Sequence, residues 1–242
     1  MLYQIAHILR DRMPWLWDSI ETLNSTLFLM KYGKKLNGVE DEEIIAFEKI
    51  LQGRGDSYEI RRMRDVFASD LVRFFENQPQ EAFRFFNPHG FDQQSIHKLQ
   101  RNKAFLGYVI IDLNSSQIAA YGFNRSYFHG KGFRGRMVDI NYRGKGLGTM
   151  MNRLLNAIGF SIGLRLFETV SKDNVASYKS AVSASQFKIV EELPHNELYL
   201  EIINDMKQKN DISANSPGGG KKQVANLQPT FYAFDEQERR AA

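Results

Sequence analysis

Cysteine is absent from this chain of 242 residues. This absence excludes a disulfide framework, a thiol nucleophile and a zinc site with cysteine ligands. The chain also lacks an uncharged run of the ~18–20 residues that a membrane-spanning helix needs. The stretch from Leu154 to Leu164 is among the longest uncharged runs, and it is too short. The start, Met1-Leu2-Tyr3-Gln4, lacks the basic and then apolar pattern of a secretory signal. Together these absences predict a cytoplasmic enzyme or binding protein.

The composition is otherwise that of a soluble globular protein, with 43% hydrophobic and 25% charged residues. The net charge is +4. Between residues 125 and 145, Asp139 is the single acidic residue among six basic ones, which are Arg125, Lys131, Arg134, Arg136, Arg143 and Lys145. A local positive field of this kind suits an anionic ligand such as a phosphate, a nucleotide or a nucleic acid. The alternative is a solvated and partly paired surface.

Residues 1–56 predict an N-terminal helical extension. Apolar residues recur at helical spacing in residues 5–13, and a second helix would run from Pro14 to about Gly33. Its predicted apolar stripe consists of Leu16, Ile20, Leu23 and Leu27. Asp41 would begin a third helix, and a glycine-rich break at residues 52–56 predicts a domain boundary.

Residues 57–205 alternate between strand and helix patterns, which predicts an α/β (α+β) fold around a mostly mid-chain sheet. A strand over Arg136–Tyr142 leads into the most regular amphipathic helix, which begins at Leu147. A further strand is predicted over Leu164–Val170. Residues 206–242 have linker composition and predict a flexible C-terminal tail.

Two glycine-rich stretches could bind phosphate. Residues 130–135 match the dinucleotide pattern G-x-G-x-x-G, but the pattern that follows them is that of a strand, so a hairpin turn is predicted. Residues 143–148 lie between a predicted strand and a helix, where bare glycine backbone lets a phosphate approach the helix N-terminus. Gly146 stands where a Walker loop has Ser or Thr after its lysine. The segment therefore predicts a phosphate cradle of another type, and a plain basic turn is the alternative.

The segment Val138-Asp139-Ile140-Asn141-Tyr142-Arg143-Gly144-Lys145-Gly146-Leu147-Gly148 resembles the central motif of the GCN5-related N-acetyltransferase (GNAT) family, Arg/Gln-x-x-Gly-x-Gly/Ala. A second segment, Asp173-Asn174-Val175-Ala176-Ser177 followed by Phe187, resembles the Asn-x-x-Ser/Ala helix of that family and the strand that follows it. The order of elements over roughly 150 residues is also similar, as judged by motif and periodicity. The resemblance implies a GNAT-like fold, with a mixed central sheet flanked by helices.

The resemblance also implies acyl transfer from acetyl-CoA to an amine. The CoA diphosphate would bind the backbone amides of Arg143, Gly144, Lys145, Gly146, Leu147, Gly148 and Thr149. The pantetheine arm would pair with backbone near Val138 and Ile140, on a strand that separates from its neighbour to open a slot for the thioester. Asn174 would bind near the thioester end of the cosubstrate. The backbone N–H of Val138 would hold the oxyanion, a type of contact worth about 3 kcal/mol.

The proton-transfer residues depart from the family pattern. The tyrosine that donates a proton to the leaving thiolate in many members corresponds to Ala181 or Val182, and Tyr178 could take its place or pack. Glu168 is the acidic candidate for the general base, and the alternative is that it pairs with a nearby arginine. The 5 histidines are scattered, so no metal site is predicted.

Several ligands and partners are compatible with these features. The expected acceptor is a small metabolite or amino sugar, followed by a protein amine. A degenerate member that binds CoA or a partner without turnover is the alternative. Nucleic-acid binding is not expected, because a phosphate ligand would neutralise most of the basic residues. The N-terminal helices could contact a lipid surface through Trp15, Trp17 and Phe28, but a cap over the core or a homodimer contact is favoured because Asp18 and Glu21 interrupt the apolar face.

Overall fold

The computed structural model describes residues 14–53, 55 and 57–204. These residues belong to one compact unit and contain five helices and seven strands. The helices are α1 (Pro14–Gln52), α2 (Ala68–Glu76), α3 (Gln93–Arg101), α4 (Leu147–Ile162) and α5 (Val175–Ala184). The strands are β1 (Tyr58–Arg62), β2 (Phe105–Asp112), β3 (Gln117–Ser126), β4 (Lys131–Val138), β5 (Arg165–Ser171), β6 (Phe187–Leu193) and β7 (Glu197–Ile202).

The strands form one mixed sheet in the order β1-β2-β3-β4-β5-β7-β6. Adjacent strands of the sheet are antiparallel, except for β4 and β5, which are parallel. Residues 131–133 of β4 pair with residues 165–167 of β5, and the register continues no further. The two strands therefore separate beyond Phe133 and Phe167, and we call the gap between them the slot. The predicted fold class and the predicted separation of the strands are confirmed.

Helices cover the two faces of the sheet with separate apolar clusters. On one face, α4 contributes Met151, Leu154, Leu155 and Ile158 to a cluster that also contains Phe28, Tyr32, Leu36, Ile44 and Leu51 of α1. On the other face, α2 and α3 bury Leu71, Phe74, Phe75, Ile96 and Leu99 against β2, β3 and β4. Helix α1 thus packs as a cap over the core, in agreement with the favoured alternative.

The division of residues 14–52 into two helices was wrong, because α1 is continuous for 39 residues. Its buried stripe also differs from the predicted one, since Ile20 and Leu23 are 45% and 60% exposed. The carboxylate of Glu40 fixes the helix on the sheet by accepting hydrogen bonds from Arg62, Arg64 and the Tyr108 hydroxyl. These partners lie far away in sequence, so local periodicity does not reveal them.

Phe28 is fully buried in the core. It is therefore not available for the contact with a lipid surface that was considered for Trp15, Trp17 and Phe28. No helix in residues 14–204, as far as they are described, is long and apolar enough to cross a membrane. The helix predicted over residues 5–13 and the flexible tail predicted over residues 206–242 lie outside the described residues.

The strand predicted over Arg136–Tyr142 lies earlier in the chain, at Lys131–Val138. Residues 140–142 form a 3-10 turn instead, because the Asp139 side chain accepts a hydrogen bond from the Asn141 N–H and the Gln78 amide. The predicted hairpin turn is present just before β4, where Gly130 has a φ of 98° and its N–H donates to the Tyr127 carbonyl. Residues 131–135 of the glycine-rich stretch belong to β4 itself.

Candidate active site

The loop that joins the 3-10 turn to α4 has a backbone that depends on glycine. Gly144 and Gly146 both have a φ of 77°, in the left-handed region that side chains disfavour. Gly146 is the N-cap of α4, and its carbonyl accepts the N–H of Met150 at 3.0 Å. Residues 143–146 are exposed, so a ligand can reach this backbone.

The N–H groups of this loop are free to bind an anion. Among the described residues, none accepts a hydrogen bond from the backbone N–H groups of residues 143–149. A helix N-terminus with unpaired N–H groups carries a partial positive charge and binds phosphate readily. We call the backbone of Arg143–Thr149 the cradle, and its geometry suits the diphosphate of CoA.

The cradle also requires a small residue at position 148. A Cβ atom on Gly148 would lie 3.2 Å from Ser180 Oγ, 3.4 Å from Val138 Cγ2 and 3.8 Å from Arg136 Nε. The start of α4 is therefore packed closely against β4 and α5, which places the cradle at the open end of the slot.

Aromatic and acidic residues outside the motif hold the cradle in place. The Tyr142 hydroxyl donates to Asp112 Oδ2 at 2.8 Å and lies 2.9 Å from Ser115 Oγ. Lys145 Nζ lies 4.7 Å from the centre of the Tyr142 ring, in a cation–π contact. Asp112 is the last residue of β2 and Ser115 lies in the β2–β3 turn, so sequence reasoning had no local signal with which to find them.

The backbone of β4 faces the slot at alternate residues. The Tyr127 N–H donates to the Lys131 carbonyl and the Asp139 N–H to the Ala119 carbonyl, so the odd-numbered residues of β4 pair with β3. Arg134, Arg136 and Val138 consequently direct their N–H and C=O groups toward the slot. This position suits the role predicted for the Val138 N–H.

Ile140 does not occupy the position that the resemblance implies. It lies in the 3-10 turn, is 45% exposed, and donates its N–H to Gln78 Oε1 at 3.3 Å. The chain leaves the strand at Asp139 and Gln78 already uses the Ile140 N–H, so a contact between Ile140 and pantetheine stays a prediction.

Asn174 begins α5 as its N-cap. Its Oδ1 atom accepts the N–H of Ser177 at 3.1 Å, which satisfies one donor of the first helical turn. The side-chain amide N–H groups remain for a ligand, so contact between Asn174 and the cosubstrate stays a prediction.

Glu168 lies at the closed end of the slot, in a buried ion pair. Arg134 Nε donates to its Oε2 at 2.8 Å, and Arg136 Nη1 lies 3.7 Å from the same oxygen. The Glu168 side chain is only 4% exposed. Both guanidinium groups contact Oε2, so this oxygen is engaged in the ion pair. The geometry thus favours the ion-pair alternative and argues against Glu168 as the general base.

Tyr178 lies on α5 with 36% of its surface exposed. Its ring packs edge-on against Phe187, with the ring centres 6.1 Å apart. Ala181, at the position where many family members have the proton donor, is buried. The structure therefore shows a packing contact for Tyr178, and its role as a proton donor stays a prediction.

The basic residues between positions 125 and 145 do not form one exposed patch. Arg134 and Arg136 are buried against Glu168. Arg125 lies 3.9 Å from Glu21 of α1. Arg143 and Lys145 remain exposed beside the cradle. This distribution argues against a nucleic-acid surface. In the described part of the chain, no group of three or more acidic or histidine side chains could hold a metal ion.

Comparisons with known proteins identify the fold. No protein-family model and no curated protein matches the sequence. Among solved structures, the chain is similar to the GNAT domain of PAT from S. lividans, with 13% identity and a TM-score of 0.50, over 59% of this chain and 88% of that one. It is also similar to a proposed acetyltransferase from Acinetobacter baylyi, with 11% identity and a TM-score of 0.51, over 61% of this chain and 93% of that one. The chain therefore has the fold of the GNAT acetyltransferases.

Proposed function

We propose that this protein is an N-acetyltransferase that moves an acetyl group from acetyl-CoA to a primary amine. The observation that carries the proposal is the cradle, whose free N–H groups open into the slot between β4 and β5. A diphosphate on these groups would leave the pantetheine arm to extend along the free edge of β4. The acceptor is a small metabolite or amino sugar, with a protein amine as the second choice.

In this reaction the amine nitrogen attacks the thioester carbonyl carbon directly. A C–N bond forms, the C–S bond breaks, and CoA leaves as a thiolate that takes up a proton. The Val138 N–H faces the slot and would donate to the carbonyl oxygen as negative charge develops there, a contact worth about 3 kcal/mol. Because Glu168 is held by arginines, the proton of the amine passes to water.

A second candidate function is CoA binding without turnover. The ion-paired state of Glu168 and the buried Ala181 favour it, since both remove a proton-transfer group from its expected place. This alternative keeps the cradle and the slot, so it differs from the first proposal only in whether an acceptor reacts.

A thiol-release screen with acetyl-CoA against a library of amines tests both functions. Gly146→Trp should abolish release, because the φ of 77° disfavours a side chain and the indole would cover the cradle. Gly38→Trp, at an open position on α1, is the matched control and should retain release. Release that persists in Gly146→Trp would contradict the cradle. CoA binding by calorimetry without release for any amine would establish the second candidate.

A further inference from the structure

The closed end of the slot contains a buried cluster with unequal charge. Arg134, Arg136 and Glu168 have side chains that are 0%, 8% and 4% exposed. We call these three residues the slot cluster. Two guanidinium groups face one carboxylate, so the cluster has one excess positive charge. Burying a charge without a partner costs several kcal/mol, and such a charge persists where a ligand compensates it.

Protein groups do not fully satisfy the arginines of the slot cluster. Arg134 donates to Glu168 and Asn156, and its Nη2 atom is buried without a hydrogen-bond partner among the described residues. Arg136 Nη2 donates to neutral oxygens of Ser177, at 2.8 Å for the carbonyl and 3.3 Å for Oγ. Burial lowers the pKa of Arg136 to about 10, even though Glu168 raises it. The carboxylate of Glu168 thus compensates only part of the positive charge.

The slot cluster lies on the face of the sheet from which CoA would approach. Val138 packs with the apolar cluster of α4, whereas Met137 packs with that of α2 and α3. The even-numbered side chains of β4, including both arginines, therefore face the side of the cradle. An acceptor that approached over the opposite face would not meet their guanidinium groups.

The position along β4 separates Arg134, but not Arg136, from the diphosphate. Arg136 Nε is 3.8 Å from a Cβ position on Gly148, close to the cradle. Arg134 lies four residues before Val138, or about 13 Å along a strand. It adjoins Phe133, the last residue of β4 that pairs with β5. A diphosphate on the cradle would leave Arg134 to the acyl end of the bound molecule.

We propose that the slot cluster receives a carboxylate of the acyl group, so that the preferred donor is the CoA thioester of a dicarboxylic acid. Succinyl-CoA is the simplest probe of this class. The inference rests on the proposed function and changes only the acyl group. The amine still attacks the thioester carbonyl, the C–S bond breaks and the terminal carboxylate is unchanged. Guanidinium groups bind carboxylates with charge-assisted hydrogen bonds, and acetyl-CoA offers no such group.

Calorimetry with the full-length protein, without an acceptor, measures this preference directly. Succinyl-CoA should bind about tenfold or more tightly than acetyl-CoA, the ratio expected for a hydrogen bond to a charged group. Arg134→Gln should lower the ratio toward one. Glu168→Gln adds a net positive charge to the slot cluster and should raise it. Arg165→Gln is the matched control, because Arg165 is exposed and pairs with Glu201 outside the slot, so it should leave the ratio unchanged.

The opposite effects of Arg134→Gln and Glu168→Gln separate ligand binding from a structural role. If the cluster had only a structural role, each substitution would weaken the binding of both thioesters equally. The ratio of the two affinities would then stay unchanged, which would overturn the proposal. Equal affinity of the wild-type protein for the two thioesters would overturn it as well. Failure of every CoA compound to bind would instead refute the proposed function.

Discussion

The partly buried ring of His89 should make the stability of this protein depend on pH. His89 lies between α2 and α3, and the rings of Phe75, Phe91, Phe105, Tyr121 and Phe123 surround it at centre distances of 5.1–5.9 Å. A neutral ring satisfies both of its nitrogens, since Nδ1 can donate to the Gly90 carbonyl at 2.8 Å while Nε2 accepts the Tyr121 hydroxyl at 2.9 Å. Burial lowers its pKa to about 4.

The sign of the effect follows from the pKa of His89 in the unfolded chain, about 6.5. Between these two pKa values the unfolded chain binds the proton and the folded chain does not, so the free energy of unfolding rises with pH. The contribution is complete above pH 6.5 and is lost as the pH falls toward 4. About 1.4 kcal/mol per unit gives about 2 kcal/mol lost between pH 7.5 and pH 5, and about 3 kcal/mol in full.

Urea unfolding at pH 7.5 and pH 5 measures this loss. His89→Gln, which cannot titrate in this range, should lose about 2 kcal/mol less than the wild type between the two pH values. His97→Gln is the matched control, because this histidine of α3 is exposed and should leave the wild-type pH dependence in place. Equal losses in the wild type and His89→Gln would refute the argument, since the proton would then bind elsewhere.

Two further predictions concern the anchoring of α1 and the transfer of protons. Glu40→Gln should lower the free energy of unfolding by about 2 kcal/mol in urea, less than for a fully buried pair because Arg62 and Arg64 are partly exposed. Glu42→Gln, at an exposed site on the same helix, should change it little. For the reaction, log kcat/KM should rise with unit slope as the pH approaches the pKa of the amine, about 10, because the proposed mechanism passes the amine proton to water. A plateau that begins near pH 7 would reveal a base in the protein.

The parts of the fold that sequence patterns predicted are those with local signals. The helix from Leu147 and the glycines at its start form one continuous segment, so periodicity and backbone requirements mark both in the sequence. Helix α1 was divided wrongly because Gly33 resembles a helix end. Contacts of Glu40 with Arg62 and Tyr108 hold the continuous helix on the sheet, and those contacts are distant in sequence.

The error in β4 has a similar cause. Val138, Ile140 and Tyr142 alternate like a strand, but the Asp139 side chain turns the chain by capping the Asn141 N–H and contacting Gln78 from another element. The sequence likewise did not decide whether Glu168 is a general base or an ion-pair partner. Its contacts with Arg134 and Arg136 arise only because β4 and β5 lie side by side in the sheet. Side-chain pairing across a sheet requires the register, which local patterns do not contain.

The slot cluster also bears on how this site balances stability and function. Apolar residues of similar volume often replace a buried ion cluster at no cost in folding free energy, and sometimes with a gain. The excess guanidinium and the unpaired Arg134 Nη2 therefore do little for folding. The two guanidinium groups lie between the cradle and the last pair of β4 and β5, where we propose that the acyl end of a thioester binds. An acetyl group carries no charge that could interact with the buried guanidinium groups. A carboxylate on the acyl group would interact with them and would offset the cost of burying their positive charge.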